Sequence, residues 1–307
     1  MPDKPVQTFL ELLSHARKQP PKRVAIVGAE NDIALEAIAQ AMTHKIAIPV
    51  LIGESDKVRD RISKLNLEEQ LAEARFINTE SIEKAAETAV ALARSNEIDI
   101  LLKGSLRTDQ LLKAVLSKET GLRKNSVLSD ILLYEDRCSG YTRLVGISDG
   151  GLTPLPTREQ KIELIRNAIP VLQALGIARP KIGLLSATEA VSKALPSTID
   201  AEAITNQAAE LFSDCDVFGP LALDNALLRS AAEAKGITNP VAGAVDCMIA
   251  PNIEAANMTA KAVKYIGGSA CAHVIMGAKI PVLIPSRVES AEDKLYAIAL
   301  GVIIDAQ

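Results

Sequence analysis

The sequence predicts an α/β protein with mostly parallel sheets and two lobes. Short apolar runs alternate with longer amphipathic segments along nearly the whole chain, which indicates βαβ units. The composition suits helices packed on a parallel sheet, with 48% hydrophobic residues, no Trp and only 3% aromatic residues. The length of 307 residues is sufficient for one large domain or two smaller ones.

The amino-terminal half supplies most of the first predicted lobe. An amphipathic stripe at Phe9, Leu10, Leu12 and Leu13 predicts a short helix that is interrupted by charge, unlike the apolar core of a signal peptide. Predicted strands then cover residues 24–27, 47–52, 75–77 and 98–102, and predicted helices cover 32–42, 56–64, 81–94 and 109–116.

Turn-forming residues divide the chain near residue 145. A strand at 144–147 is followed by Ser148–Gly151 and two prolines, and the βα alternation then resumes. Gly267-Gly268 marks a second boundary, beyond which two short strands and a last helix follow. We expect residues 1–145 and 272–307 to form the first lobe and residues 146–271 the second, with the active site in the cleft between them.

Charge and motif content exclude several classes of function. The net charge is −4 with no basic run, so the chain carries no electrostatic signature of nucleic-acid or anionic-membrane binding. The first strand ends in VGAEND, without G-x-G-x-x-G, and no P-loop occurs, which removes support for nicotinamide and ATP sites. The four cysteines and three histidines form no metal-site pattern. With no apolar run of about 20 residues, we expect a cytoplasmic protein.

Two polar clusters lie where predicted strands end. The first comprises Lys103, Gly104, Ser105, Arg107 and Thr108, between a strand and the next helix. Hydroxyl and ammonium groups with helix N-terminal N–H groups are donors suited to phosphate, although a solvated strand-to-helix loop would have the same composition. The second cluster is Ser286-Arg287, after the apolar run 282–284. It predicts an anion site at the carboxyl end of a strand.

Asp293 follows the second cluster in the first turn of the last predicted helix. Ser290 and Asp293 have the spacing of a capping box, which would serve stability alone. From spacing, the cap is favoured over a catalytic role, and both interpretations stay open at this point.

Four separated blocks resemble one enzyme family. They are ATEAVSKALPSTID at 187–200, FGPLALDN at 218–225, VAGAVDCMIAPNIEAAN at 241–257 and VLIPSRVESAEDK at 282–294. In this order, together with residues 103–115, they resemble the phosphate acetyltransferase and phosphate butyryltransferase family. The first two blocks are closer to the butyryl type, and the acetyl type usually has SRGC where this chain has Ser286-Arg287-Val288-Glu289.

The resemblance implies a fold, a reaction and a set of site residues. It implies an isocitrate/isopropylmalate dehydrogenase-like fold, a homodimer, and the reversible reaction of acyl-CoA with phosphate to give acyl phosphate and CoA, without a metal or nicotinamide cofactor. Matched by motif, the catalytic residues are Ser286 as oxyanion donor, Arg287 as phosphate ligand and Asp293 as the base for the CoA thiol. Asp293 can cap the helix and still be catalytic.

The same resemblance suggests which side chains bind phosphate and CoA. An additional anion-binding Arg of the acetyl type has no match near Leu112, and Lys103, Arg107 and Lys113 are candidate substitutes. The expected substrate-binding set, outside the catalytic residues, is Lys103, Ser105, Arg107, Thr108, Lys113 and Asn257, with Lys261 as a further polar candidate.

Three alternatives compete with a phosphate butyryltransferase. Acetyl could be the physiological acyl group, because one methylene changes discrimination by only about 1–3 kcal/mol. A decarboxylating dehydrogenase of similar fold would need acidic metal ligands and a nucleotide loop, and neither pattern occurs. A non-catalytic acyl-CoA or acyl-phosphate binding protein would not require the carboxylate of Asp293.

Overall fold

The computed structural model describes residues 4–125, 127–286 and 288–306, and it has the predicted α/β architecture with mostly parallel strands. The strands are β1 (Lys22–Val27), β2 (Ala47–Gly53), β3 (Arg75–Asn78), β4 (Ile100–Lys103), β5 (Ser129–Asp136), β6 (Arg143–Ser148), β7 (Lys181–Leu185), β8 (Asp216–Leu221), β9 (Cys247–Ile249), β10 (Cys271–Met276) and β11 (Val282–Leu283).

The helices alternate with these strands. They are α1 (Phe9–Ala16), α2 (Asp32–Thr43), α3 (Ser55–Lys64), α4 (Ile82–Arg94), α5 (Thr108–Val115), α6 (Arg158–Ala174), α7 (Pro196–Asn206), α8 (Ala208–Leu211), α9 (Leu223–Leu227), α10 (Arg229–Ala234), α11 (Ile253–Lys261), a π-helix (Ala262–Ile266) and α12 (Ala291–Asp305). None of the described helices combines the length and the apolar character that crossing a bilayer requires.

The chain divides into two compact units. The first unit comprises residues 12–126 and 272–307, and the second comprises residues 1–11 and 127–271. The boundary expected near residue 145 therefore lies near residue 126 instead. The reason is β5, a strand that the sequence did not predict: it pairs antiparallel with β6, with Leu132 opposite Ile147, so a boundary at residue 145 would divide a hairpin.

The sheet of the first unit has the strand order β3-β2-β1-β4-β11-β10. All neighbours are parallel except β10 and β11. Strand β1 is central, and its residues Val24–Val27 have no exposed surface, as expected for a strand covered on both faces. Helices α2 and α12 contact each other beside this sheet.

The sheet of the second unit has the strand order β5-β6-β9-β7-β8, and only the β5–β6 pair is antiparallel. Its core joins apolar side chains from the strands and from the segment before β9, among them Leu132, Val145, Leu221, Val245 and Met248.

Several predicted helix details differ in the structure. The helix expected at 225–235 is two helices, α9 and α10, because Leu228 between them is extended (φ −110°, ψ 119°). The helix expected at 253–266 changes to a π-helix after Lys261. In α1, Phe9 and Leu12 are buried as predicted, whereas Leu10 is 70% exposed.

Candidate functional site

Three adjacent strands of the first unit bring both polar clusters to one edge of its sheet. Strands β1, β4 and β11 are neighbours and run parallel, so their carboxyl ends share one edge. The loop 28–31 follows β1, residues 104–107 follow β4, and residues 284–290 follow β11. Carboxyl ends of parallel strands are where α/β proteins usually bind ligands.

The loop after β4 is packed tightly against the loop after β1. Gly104 donates its N–H to Val27 O at 2.8 Å, and Ser105 donates its N–H to Gly28 O at 2.7 Å. A Cβ atom on Gly104 would collide with the carbonyl oxygen of Gly28, so only glycine fits at this position. The close approach fixes the backbone on which Lys103 and Ser105 lie.

Lys103 and Ser105 lie where β4 ends, at the carboxyl ends of these parallel strands. Lys103 is only 5% exposed, and its Nζ donates to Leu106 O at 3.3 Å. Ser105 is half-buried, with its Oγ 3.5 Å from Glu30 Oε2 in the loop after β1. An ammonium group and a hydroxyl group at a strand end are both hydrogen-bond donors of the kind that anions accept from.

The remaining residues of this cluster lie further out. Arg107 is exposed at the N-cap of α5, where its Nε contacts Asp109 Oδ1 at 2.9 Å. Thr108 is the half-buried first residue of α5, and Lys113 is exposed in the last turn of that helix. The structure therefore groups Lys103 and Ser105, and it places Arg107 and Lys113 at the surface.

The loop after β11 carries Ser286. Ser286 is half-buried, and its carbonyl oxygen accepts hydrogen bonds from Glu289 N at 3.2 Å and from Lys294 Nζ at 3.1 Å. The predicted phosphate ligand Arg287 lies outside the described residues. Lys103 is thus the last residue of β4, and Ser286 follows the adjacent parallel strand β11 at the same end.

Asp293 forms the capping box that its spacing predicted. Its Oδ2 accepts from Ser290 N at 3.1 Å and from Ser290 Oγ at 2.7 Å, while Asp293 N donates to Ser290 Oγ at 3.1 Å. The residue is 3% exposed, in the first turn of the 15-residue helix α12. The helix dipole stabilises a negative charge at this end. The arrangement provides an oriented carboxylate beside the Ser286 loop.

Three residues near this loop were not singled out from the sequence. Lys294 is 3% exposed, Glu289 is 5% exposed, and Glu289 Oε1 lies 3.3 Å from His273 Nε2. The sequence did offer a signal for a functional role of Lys294, because it is a charged residue next to the apolar segment 295–303. Buried charges are rare unless they have partners. The pairing of Glu289 with His273 was not predictable, since it depends on how β10 packs beside the loop and not on a local pattern.

Asn257 belongs to the second unit. It is exposed on α11, and its Nδ2 donates to Gly150 O at 3.0 Å. The neighbouring Asp149 accepts hydrogen bonds from the backbone N–H groups of Asp130, Gly151, Leu152 and Thr153. Burial raises the pKa of the Asp149 carboxyl, and these N–H groups oppose the increase. This geometry fits the tight turn that the sequence favoured at Asp149-Gly150-Gly151.

The second unit also contains an apolar cavity of about 270 Å³ at the carboxyl ends of β6, β7 and β9. Its walls include Ile147, Leu185, Met248 and Ala256. Such a surface suits an aliphatic or aromatic group. Within the described ranges, no three or more His, Cys, Asp and Glu side chains are grouped so that they could hold a metal ion.

Comparison with known proteins identifies the family. The family model described as phosphate acetyl/butaryl transferase matches residues 75–302. A phosphate butyryltransferase of Clostridium beijerinckii is 34% identical over 98% of this chain and 99% of its own length. A phosphate acetyltransferase of Thermotoga maritima is also 34% identical, over 96% of this chain and 99% of its own length.

A solved structure agrees with this identification. A branched-chain phosphotransacylase from Enterococcus faecalis has a TM-score of 0.82 and 27% identity, over 92% of this chain and 99% of its own. The resemblance predicted from the four sequence blocks is confirmed, as is the α/β fold class. The chain belongs to the phosphate acetyl/butaryl transferase family and is a transferase with the acyl-transfer function of that family.

Proposed function

We propose that this chain is a phosphate butyryltransferase, which transfers the acyl group of a short-chain acyl-CoA to phosphate and releases CoA. The observation that carries this proposal is the placement of Ser286 and the buried carboxylate of Asp293 at the edge where β4 and β11 end. An anion site and an oriented proton acceptor are the two functions that the reaction requires.

The proposed chemistry uses direct transfer. In the direction of acyl-CoA synthesis, the Asp293 carboxylate accepts the proton of the CoA thiol, and the resulting thiolate attacks the carbonyl carbon of the acyl phosphate. The carbonyl π electrons move to oxygen, where Ser286 Oγ donates a hydrogen bond to the oxyanion. When the C=O bond reforms, the C–O bond to phosphate breaks and phosphate leaves. In reverse, protonated Asp293 returns the proton to the departing thiolate.

Lys103 is the best-supported substitute for the family's additional basic residue. It is buried at the end of β4, beside the strand that leads to Ser286, whereas Arg107 pairs with Asp109 at the surface. A desolvated ammonium group interacts more strongly with phosphate than an exposed one does. We therefore assign phosphate binding to Lys103 and Ser105 together with Arg287, and leave Arg107, Thr108 and Lys113 as outer contacts. Asn257 and Lys261 are proposed as further substrate contacts.

The preference for butyryl over acetyl rests on sequence details. Residues 195–200 and 218–225 resemble the butyryl type, and Glu289 occupies a position that is Cys in the SRGC of the acetyl type. In the structure this glutamate is buried, and its carboxylate contacts His273. Acetyl is the alternative acyl group, and the 34% identity to relatives of both types supports neither over the other.

We further propose that the chain forms a homodimer in the cytoplasm, as the resemblance implies. Met258, Tyr265 and Ile266 are exposed apolar residues on α11 and the π-helix, at 70%, 56% and 87%. Exposed apolar groups of this kind are typical of protein interfaces. Light scattering would give twice the chain mass for the wild type and a lower average mass for Ile266→Asp; an unchanged mass would place the interface elsewhere.

The first experiment is phosphate-dependent release of CoA thiol from a series of acyl-CoAs, acetyl through octanoyl. A maximum at butyryl would support the proposal, and a maximum at acetyl would keep the chemistry and change the acyl preference. Ser286→Ala, analysed in parallel, should lower kcat by about 10²- to 10³-fold, the usual effect of removing one oxyanion donor. If no acyl-CoA releases thiol in the presence of phosphate, the proposed function is wrong and a binding protein is the better interpretation.

A further inference from the structure

The loop that carries Ser286 is held by a buried cation. Lys294 is 3% exposed, in the first turns of α12, and its Nζ donates to Ser286 O at 3.1 Å. The same Nζ lies 3.5 Å from Glu289 O. One ammonium group on the helix that carries Asp293 therefore contacts the carbonyl oxygens of both Ser286 and Glu289.

The loop is anchored from a second side as well. The carboxylate of Glu289 lies 3.3 Å from His273 Nε2 on β10, and Glu289 N donates to Ser286 O at 3.2 Å. Contacts from α12 and from β10 thus converge on a short segment that begins at Ser286. Such redundancy is expected where a backbone must be held in one conformation.

Stability alone is a weak explanation for a lysine at this position. Burying an ammonium group costs free energy that hydrogen bonds only partly offset, and an apolar residue of similar size is often equally stabilising. The residues that follow Lys294, from Leu295 to Ala299, are apolar and buried, so a methionine would be compatible with this helix. Unlike a methionine, the lysine donates to the backbone carbonyl of Ser286, and its Nζ lies near that of Glu289.

We propose that Lys294 is a positioning residue for the acyl-transfer reaction. By fixing the carbonyl of Ser286, it orients the backbone from which Ser286 Oγ projects and holds that hydroxyl where the oxyanion forms. The inference rests on the proposed function. In this proposal Lys294 does not contact the substrate. Its replacement should therefore lower kcat, through the displaced Ser286 hydroxyl, and leave KM nearly unchanged.

The test is a double-mutant cycle with Lys294→Met and Ser286→Ala. In the release of CoA thiol from acyl-CoA by phosphate, we expect Lys294→Met to lower kcat by about 10- to 100-fold, with KM values changed less than about threefold. The double variant should lose no more than Ser286→Ala alone, because a displaced hydroxyl and a missing hydroxyl remove the same interaction.

The matched control is Lys161→Met. Lys161 is also a buried lysine, 6% exposed, and its Nζ contacts Asp200 Oδ2 at 2.8 Å in the second unit. This variant should lose thermal stability but keep the wild-type kcat. It separates the general effect of removing a buried lysine from the specific effect at Ser286.

Three results would overturn the inference: a wild-type kcat in Lys294→Met, a raised KM at constant kcat, or losses that multiply in the double variant. If Lys294→Met shows no cooperative melting transition, Lys294→Gln replaces it in the same cycle and is judged by the same criteria. If the wild type is inactive, both the proposed function and this inference are wrong. If the wild type is active but the losses of kcat in Lys294→Met and Ser286→Ala multiply in the double variant, only this inference is wrong.

Discussion

Replacing Asp293 with asparagine separates the two roles of this residue. Asn retains an oxygen that can accept from Ser290 N and Oγ, so the cap is weakened rather than lost. Removing the charge costs about 0.3–1 kcal/mol of interaction with the helix dipole. Replacing a charge-assisted hydrogen bond with a neutral one costs about 1 kcal/mol more. The expected loss in the free energy of unfolding is therefore about 1–2 kcal/mol.

The expected loss of activity is much larger. Removal of a general base usually lowers the rate by about 10²- to 10⁴-fold, equivalent to about 3–5 kcal/mol of transition-state stabilisation. The assay is acyl-CoA synthesis from butyryl phosphate and CoA, followed by thioester absorbance at saturating substrate. Because stability and rate respond so differently, the two roles are measurable in one variant.

The matched control for the cap is Ser290→Ala. This change removes the hydroxyl that bonds to both Asp293 N and Asp293 Oδ2, at a cost of about 1 kcal/mol typical of an N-cap. The carboxylate itself remains, so we expect kcat to fall less than tenfold. Equal losses of kcat in Ser290→Ala and Asp293→Asn would refute a chemical role for the carboxylate and assign the effect to the cap.

The pH dependence gives a second criterion for the same variant. An ordinary thiol with a pKa near 8.5 is about 3% ionised at pH 7 and about 75% ionised at pH 9. A variant without its base depends on this pre-formed thiolate, so the rate of Asp293→Asn should rise about 25-fold over the interval. The ratio of the wild-type rate to the variant rate should therefore fall between pH 7 and pH 9. A constant ratio would contradict proton transfer to Asp293.

Two further predictions concern the requirement for a metal ion and the turn at Asp149. Dialysis against EDTA should leave kcat within about twofold, since the proposed chemistry needs no metal; loss of activity that zinc or magnesium restores would contradict it. Asp149→Asn should lower the free energy of unfolding by about 1–3 kcal/mol, because an amide NH₂ group would face backbone N–H donors. The pKa of Asp149 is raised by burial, so its contribution to stability is greatest at low pH and falls as the pH rises above the ordinary pKa of an aspartate. In urea unfolding, the stability advantage of wild type over this variant should narrow as the pH rises above the ordinary pKa of an aspartate, and a widening difference would show that the pKa of Asp149 is lowered instead.

Local patterns in the sequence were sufficient for the features that local interactions determine. The apolar run at 24–27 gave the central strand, and Ser290 with Asp293 gave the capping box, because each depends on residues a few positions apart. Strand β5 was missed because its apolar centre, Ile131–Tyr134, is short and bounded by acidic residues. Its stability comes from pairing with β6, which no local pattern encodes.

The candidate site shows the same limit. The sequence blocks predicted Ser286 and Asp293 as site residues, whereas the contacts of Lys294 and the pairing of Glu289 with His273 were visible only in the structure. These contacts join a loop to a helix and to a strand, and a charged residue in the sequence does not reveal its partner. Arg107 illustrates the converse: its residue type suited an anion site, but its side chain pairs with Asp109 at the surface.

The return of residues 272–306 to the first unit has a consequence for folding during synthesis. Strand β4 contacts β1 on one side and β11 on the other, and Ile100, Leu101 and Leu102 are fully buried. Until β11 emerges from the ribosome, β4 is an unprotected, apolar edge strand of the kind that promotes aggregation. Nascent chains that stop near residue 270 should therefore need chaperones, and the proposed site can form only when the last strand and helix have been made.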